Sequence, residues 1–203
     1  MLACAFLLTF MPRSAHASDC ETILSTRQPF IMRGTTFAMI GTASRSATAS
    51  FLVTRGDETK IVQMIGPQND PVVEQWFKGV WPMRMTVLKT QETTTFEYAL
   101  LEDDLKPGAE LHYTRVLKKN GEILSAETGV AHVGEAGTRM IGDCAVDVIE
   151  IKSETRSDKA PTRASSLLFA PKLGYFVKSE QAGLGPKGDI ATTFSATSLE
   201  LAP

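Results

Sequence analysis

Apolar and polar residues alternate one by one through most of this chain, and a period of two is the signature of strands. Phe96, Tyr98 and Leu100 alternate with Thr95, Glu97 and Ala99, and Met83, Met85 and Val87 alternate with Arg84 and Thr86. Successive side chains on a strand point to opposite faces, so each such run sets one face on a core and the other toward water. Comparable runs occupy 35–42, 47–54, 60–65, 110–118, 123–133, 145–152, 165–170, 175–180 and 190–199. They are rich in Thr, Val, Ile and aromatics, which suit a pleated, half-buried surface. Between two of them stands Asn120-Gly121, the pair that a type I′ hairpin turn prefers because both positions need positive φ. Arg55-Gly56-Asp57, Lys106-Pro107-Gly108 and Gly185-Pro186-Lys187-Gly188 predict further turns. Across Val146, Val148, Ile149 and Ile151 the apolar set changes face, which predicts a β-bulge near Val148.

One segment breaks the pattern. Asp70 suits a helix N-cap, Pro71 its first position and Gly79 its end, while Val72, Val73, Trp76 and Phe77 share a face at helical spacing. The expectation is a short helix over 70–79. About ten strands with one or two short helices predict an all-β, mainly antiparallel domain, built as a single curved sheet or barrel.

Residues 1–17 read as a secretory signal. Residues 2–10 form a compact apolar run, and Ala15-His16-Ala17 supplies the small residues that signal peptidase accepts, so cleavage is expected between Ala17 and Ser18. A signal needs a cationic start and none precedes this run, so a start codon upstream of Met1 is expected. The run is too short to serve as a transmembrane anchor. Cys20 follows Asp19 rather than a small residue, which argues against a lipid anchor there. Processing would remove Cys4 and leave Cys20 and Cys144 of the three cysteines, a pair expected to form a structural disulfide in an oxidising compartment. The remaining residues, 18–203, are enough for one domain with a substantial core. The net charge of the whole chain is −2, with both signs scattered and no basic stripe of the kind nucleic acid requires.

The motifs of catalysis are missing. After processing the histidines are His112 and His132, neither belongs to H-E-x-x-H, and no serine lies in G-x-S-x-G or S-x-x-K. No catalytic residue, metal or cofactor is therefore assigned. Glu102, Asp103 and Asp104 read as a solvated loop, because a calcium site needs more widely spaced oxygens. Met83 and Met85 on one strand face could hold copper through soft sulfur, but methionine is commonly a flexible core filler. Trp76, Phe77 and Trp81, with Met83, form an aromatic group readable as the lip of an apolar ligand site or as simple core packing.

Gly142-Asp143-Cys144-Ala145-Val146-Asp147-Val148, then Leu168 to Lys178 with its Pro171-Lys172-Leu173-Gly174 turn, then a last strand ending at Leu201, resemble the closing strands of bacterial periplasmic domains of unknown function. More distantly they resemble the half-barrel of lipoprotein-carrier proteins. The resemblance spans about sixty residues and implies an open or closed antiparallel barrel with an apolar interior. It transfers no catalytic residue. The expected function is thus a non-enzymatic periplasmic envelope protein that binds an apolar small molecule, a lipid or an envelope partner. The rival readings are a hydrolase with scattered site residues, which needs His112 or His132 beside a Ser, Asp or Glu, and a purely structural assembly protein.

Overall fold

The computed structural model describes residues 16–56, 59–65, 72–102, 104–159, 161–185 and 188–203. In chain order the elements are α1 (His16–Ser25), β1 (Phe30–Ile40), β2 (Ala43–Arg55), β3 (Thr59–Ile65), β4 (Val72–Phe77), β5 (Trp81–Val87), β6 (Glu92–Leu101), β7 (Glu110–Lys119), β8 (Glu122–Ile141), β9 (Cys144–Ser157), β10 (Arg163–Ala170), β11 (Tyr175–Gly185) and β12 (Gly188–Leu201). Each strand pairs antiparallel with its neighbours in sequence. In addition β1 pairs with β12, from Phe30 opposite Leu201 to Ile40 opposite Ile190. The ladder closes on itself as an up-and-down barrel, which removes the exposed edges of an open sheet.

The alternating runs fall in strands, apart from the last two residues of 35–42, which form the turn after β1. The segment expected to be a helix does not: Val72–Phe77 is β4, which turns through Lys78 and Gly79, both at positive φ, into β5. Asp70 and Pro71, the expected cap, lie outside the described residues. The misreading has a physical source in Glu74. Its carboxylate accepts hydrogen bonds from Trp76 Nε1 (2.9 Å) and Tyr175 OH (3.3 Å), so a charged residue sits where alternation would put an apolar one. The helix that does form, α1, spans the expected cleavage point.

Turn chemistry agrees with the sequence at Asn120 (φ 49°) and Gly121 (φ 87°), and again at Gly108 (φ 84°). The turns expected at 55–57 and 185–188 fall partly outside the described residues. Near Val148 the face of β9 does switch, but the extra residue belongs to β8. Val133 pairs with Ile151 and Ala136 with Ile149, so Gly134 and Glu135 together oppose Glu150.

One end of the barrel is closed. The Cys20–Cys144 disulfide, with Cα atoms 5.6 Å apart, ties α1 to the start of β9, and Ile23 of α1 is fully buried. Arg55 then stitches three segments together, donating from Nη1 to the Lys172 carbonyl and from Nη2 to those of Ile23 and Gln28, each at 2.9 Å. The β4–β5 turn presses on the β10–β11 turn so closely that a Cβ on Gly79 would lie 2.0 Å from the Gly174 carbonyl oxygen. Above this floor lies the main core, with Phe30, Met32, Val53, Val146 and Val177 fully buried. Edge-on aromatic contacts link Phe51 to Phe194, Phe194 to Phe176 and Phe176 to Trp76. A second cluster gathers Trp81, Leu111, Tyr113 and Ile151.

The outer surface is charged, with ion pairs such as Arg33–Glu200 (2.8 Å) and Lys118–Glu97 (2.6 Å). A membrane-spanning barrel presents an apolar band outward, whereas Arg33, Glu200, Lys118 and Glu97 stand on the outer face here. Among the described residues, no helix is long and apolar enough to cross a membrane.

Candidate functional site

Toward the other end the interior becomes polar. Pairing sets Tyr98 of β6 beside Arg115 of β7, and Arg115 beside Glu127 of β8. All three therefore share one face. Arg115 Nε and Nη2 both reach Glu127 Oε2 at 2.9 Å, and Nη1 donates to Tyr98 OH at 3.0 Å. Its guanidinium lies 4.8 Å from the centre of the Phe96 ring and 5.2 Å from that of Tyr113. The other oxygen of Glu127, Oε1, accepts from Arg163 Nη2 of β10. Glu127 is only 1 % exposed, and a carboxylate so enclosed is tolerable because two guanidinium groups compensate it. Burial works against the Arg115 charge, but Tyr98 and Glu127 outweigh it and hold its pKa above the ordinary guanidinium value. For the Tyr98 hydroxyl burial acts in the other direction and raises its pKa.

Two glycines make this packing possible. A Cβ on Gly129 would lie 2.1 Å from the Tyr113 ring, so Tyr113 crosses β8 at that residue to hydrogen-bond Thr155 on β9. A Cβ on Gly183 would lie 2.9 Å from Arg163 Cγ, so the arginine lies across β11 in the same way.

Two adjoining chambers lie against this network. The deep one, about 120 Å³, has Trp76 and Trp81 in its wall with Ile151, Leu167 and Phe176. The outer one, about 270 Å³, is lined by Arg163, Thr192 and Leu184 among others. Arg115, Thr155, Ser165 and Gln181 belong to both walls. Residues of β5 and β11, on opposite sides of the ring, meet around the deep chamber, which places it inside the barrel. Trp81 is 4 % exposed, and its indole N–H has no partner among the described residues. A buried donor left unpaired costs about 1–3 kcal/mol.

Of the four aromatic and sulfur residues singled out in the sequence, Trp76 and Trp81 line the deep chamber. Phe77 packs against the second core cluster. Met83 is the extra residue of a bulge, since Gln75 pairs with Arg84 and Trp76 with Pro82. The expected disulfide is present. The histidines stand on the outer face, where His112 Nε2 and His132 Nδ1 approach the two oxygens of Glu110 at 3.1 and 3.3 Å. All three side chains are about half exposed or more and lie outside both chambers; His132 lines a separate depression of about 590 Å³ and His112 one of about 540 Å³. The Arg115–Glu127–Arg163 network escapes sequence reasoning, although the Asn120-Gly121 hairpin is a partial signal for it.

No protein-family model and no curated protein matches the chain. Among solved structures it is similar to the crystal structure of the hypothetical lipoprotein YmcC from Escherichia coli, at 11 % identity and a TM-score of 0.47, over 85 % of this chain and 90 % of that one.

Proposed function

We propose that this chain is an exported, non-enzymatic envelope protein that holds a small ligand with an apolar body inside its barrel, against Trp76 and Trp81, with Phe77 and Met83 flanking the site. The observation that carries this reading is the deep chamber, whose wall is largely aromatic and aliphatic. Ligand pockets commonly combine such apolar walls with a few polar groups that fix orientation. Export is supported by the disulfide, which persists in oxidising compartments, and by the signal-like residues 1–17. The meander sets the end of β1, the start of β8 and the end of β11 at one rim. There Ile40, Ile123 and Leu184 are exposed, which suits transfer of an apolar molecule or contact with an envelope partner.

The test uses N-phenylnaphthylamine, an uncharged probe. Trp76 and Trp81 are the two tryptophans of the chain, so their fluorescence reports on this chamber. Binding should transfer energy from them to the probe and raise the melting temperature, and Trp76→Ala should weaken it. If saturating probe moves neither signal, the barrel is a filled, structural one and the proposal fails.

A further inference from the structure

The charge on the chamber walls points to the kind of molecule that enters. Arg115 and Arg163 both line the outer chamber, while Glu127, the carboxylate that holds them, is buried behind them and forms no part of either wall. No acidic residue lines either chamber. An entering ligand therefore meets two guanidinium groups, together with the polar side chains of Thr155, Ser165, Gln181 and Thr192. Guanidinium hydrogens not committed to Glu127 or Tyr98 remain, since Arg carries more N–H donors than those contacts use. Arg115 is fixed by its contacts with Glu127 and Tyr98 and by the rings around it, so little side-chain freedom is lost on binding. Beyond the arginines the deep chamber is mainly aromatic and aliphatic. A cationic outer chamber over an apolar inner one matches a molecule with an anionic head and an apolar tail. Joined, the two chambers reach only the lower end of the size range of small-ligand sites, about 300 Å³ and upward. That size admits a single chain of moderate length.

We propose that the barrel takes a single-chain amphiphile head-outward, its carboxylate or phosphate held by Arg115 and Arg163 and its chain directed toward Trp76 and Trp81. This rests on the interior-binding reading above and adds the identity of the head group. The geometry suits either oxyanion, because a guanidinium fork pairs with both.

The experiment titrates the protein with decanoate, decyl phosphate, decanol and decyltrimethylammonium, each below its micelle concentration, by calorimetry and tryptophan fluorescence. One or both anions should bind about tenfold or more tightly than decanol, a gap of about 1.4 kcal/mol, and the cation more weakly still. Whichever anion binds more tightly identifies the head. Salt should weaken the anions and leave decanol unchanged. Arg163→Gln is the informative variant, because Arg163 is half exposed and Glu127 keeps Arg115 as its partner, so the fold is expected to survive. It should shrink the gap between anion and alcohol. If decanol binds as tightly as both anions, or Arg163→Gln leaves the gap intact, the head-group assignment is wrong while interior binding stands. If none of the four binds, both proposals fall.

Discussion

Glu74 and Glu127 are both enclosed by the barrel, but only Glu127 faces cations. Glu74 is held by two neutral donors, and burial raises its pKa above the ordinary 4.5, an effect the bonds from Trp76 and Tyr175 only partly offset. Burial, with Glu74 as neighbour, also pushes the Tyr175 hydroxyl well above its usual value. The folded state thus binds the Glu74 proton more tightly than the unfolded chain does. Stability contributed by this group is greatest in acid and falls as pH rises from 4.5 through the raised value. Glu74→Gln keeps an acceptor for Trp76 and Tyr175 without the charge. It should unfold at a higher urea concentration than the parent at neutral pH, with the difference closing as pH approaches 4.5. A variant less stable than the parent at neutral pH would show that the charge itself is favourable there. The partners of Glu127 could not be read from the sequence for a specific reason. Extrapolating from the Asn120-Gly121 turn puts Arg115 opposite Ala126. Leu124 is an extra residue in β8, however, because Lys118 pairs with Ile123 and Leu117 with Ser125. That slip brings Glu127 opposite Arg115, and a slip of one residue exchanges the two faces of a strand.

Strands whose inward residues are uniformly apolar were visible from alternation alone, as in Val146 and Val148 of β9. β4 was not, because the inward Glu74 broke the alternation and Asp70-Pro71 supplied a plausible helix start. α1 escaped for a different reason. Its burial rests on Ile23, and its position on a bond to a residue 124 positions away in sequence. The pairing itself could be inferred, since Cys20 and Cys144 are the cysteines that the expected processing would leave. Closing so long a loop removes about 5 kcal/mol of unfolded-state entropy at most. Cys144→Ser should lower the melting temperature accordingly, by a few kcal/mol of stability, and free α1 to exchange its amide hydrogens faster than the strands. An unchanged melting temperature would mean that Arg55 and Ile23 hold α1 without the bridge.

Ion pairs such as Arg33–Glu200 and Lys118–Glu97 stand on the outer surface of the barrel, while Trp76, Trp81, Phe176 and Phe194 pack within it. The sequence conveyed the strands other than β4, the disulfide and the aromatic group around Trp76 and Trp81. It could not convey that the interior divides into a filled half and a hollow, cationic half, because that division depends on residues from β5 to β12 meeting across the ring. The export reading has its own measurement: N-terminal sequencing of protein recovered from a periplasm should begin Ser18-Asp19-Cys20. A chain retaining Met1 there, or a lipid on Cys20, would contradict it.

Closure of the ring also orders events in time. β1 pairs along its length with β12 as well as with β2, and β12 is the last of the ring's strands to be made, so the first strand of the ring waits for it. Cys144 emerges three strands earlier, at the start of β9. The covalent tie between the two halves can therefore form while the ring is still open. Once made, it shortens the remaining search, because bringing distant segments together costs less entropy across a shorter effective loop. Truncation within β12 would leave β1 and β11 as exposed edges, converting a self-contained vessel into a sheet free to pair with another copy.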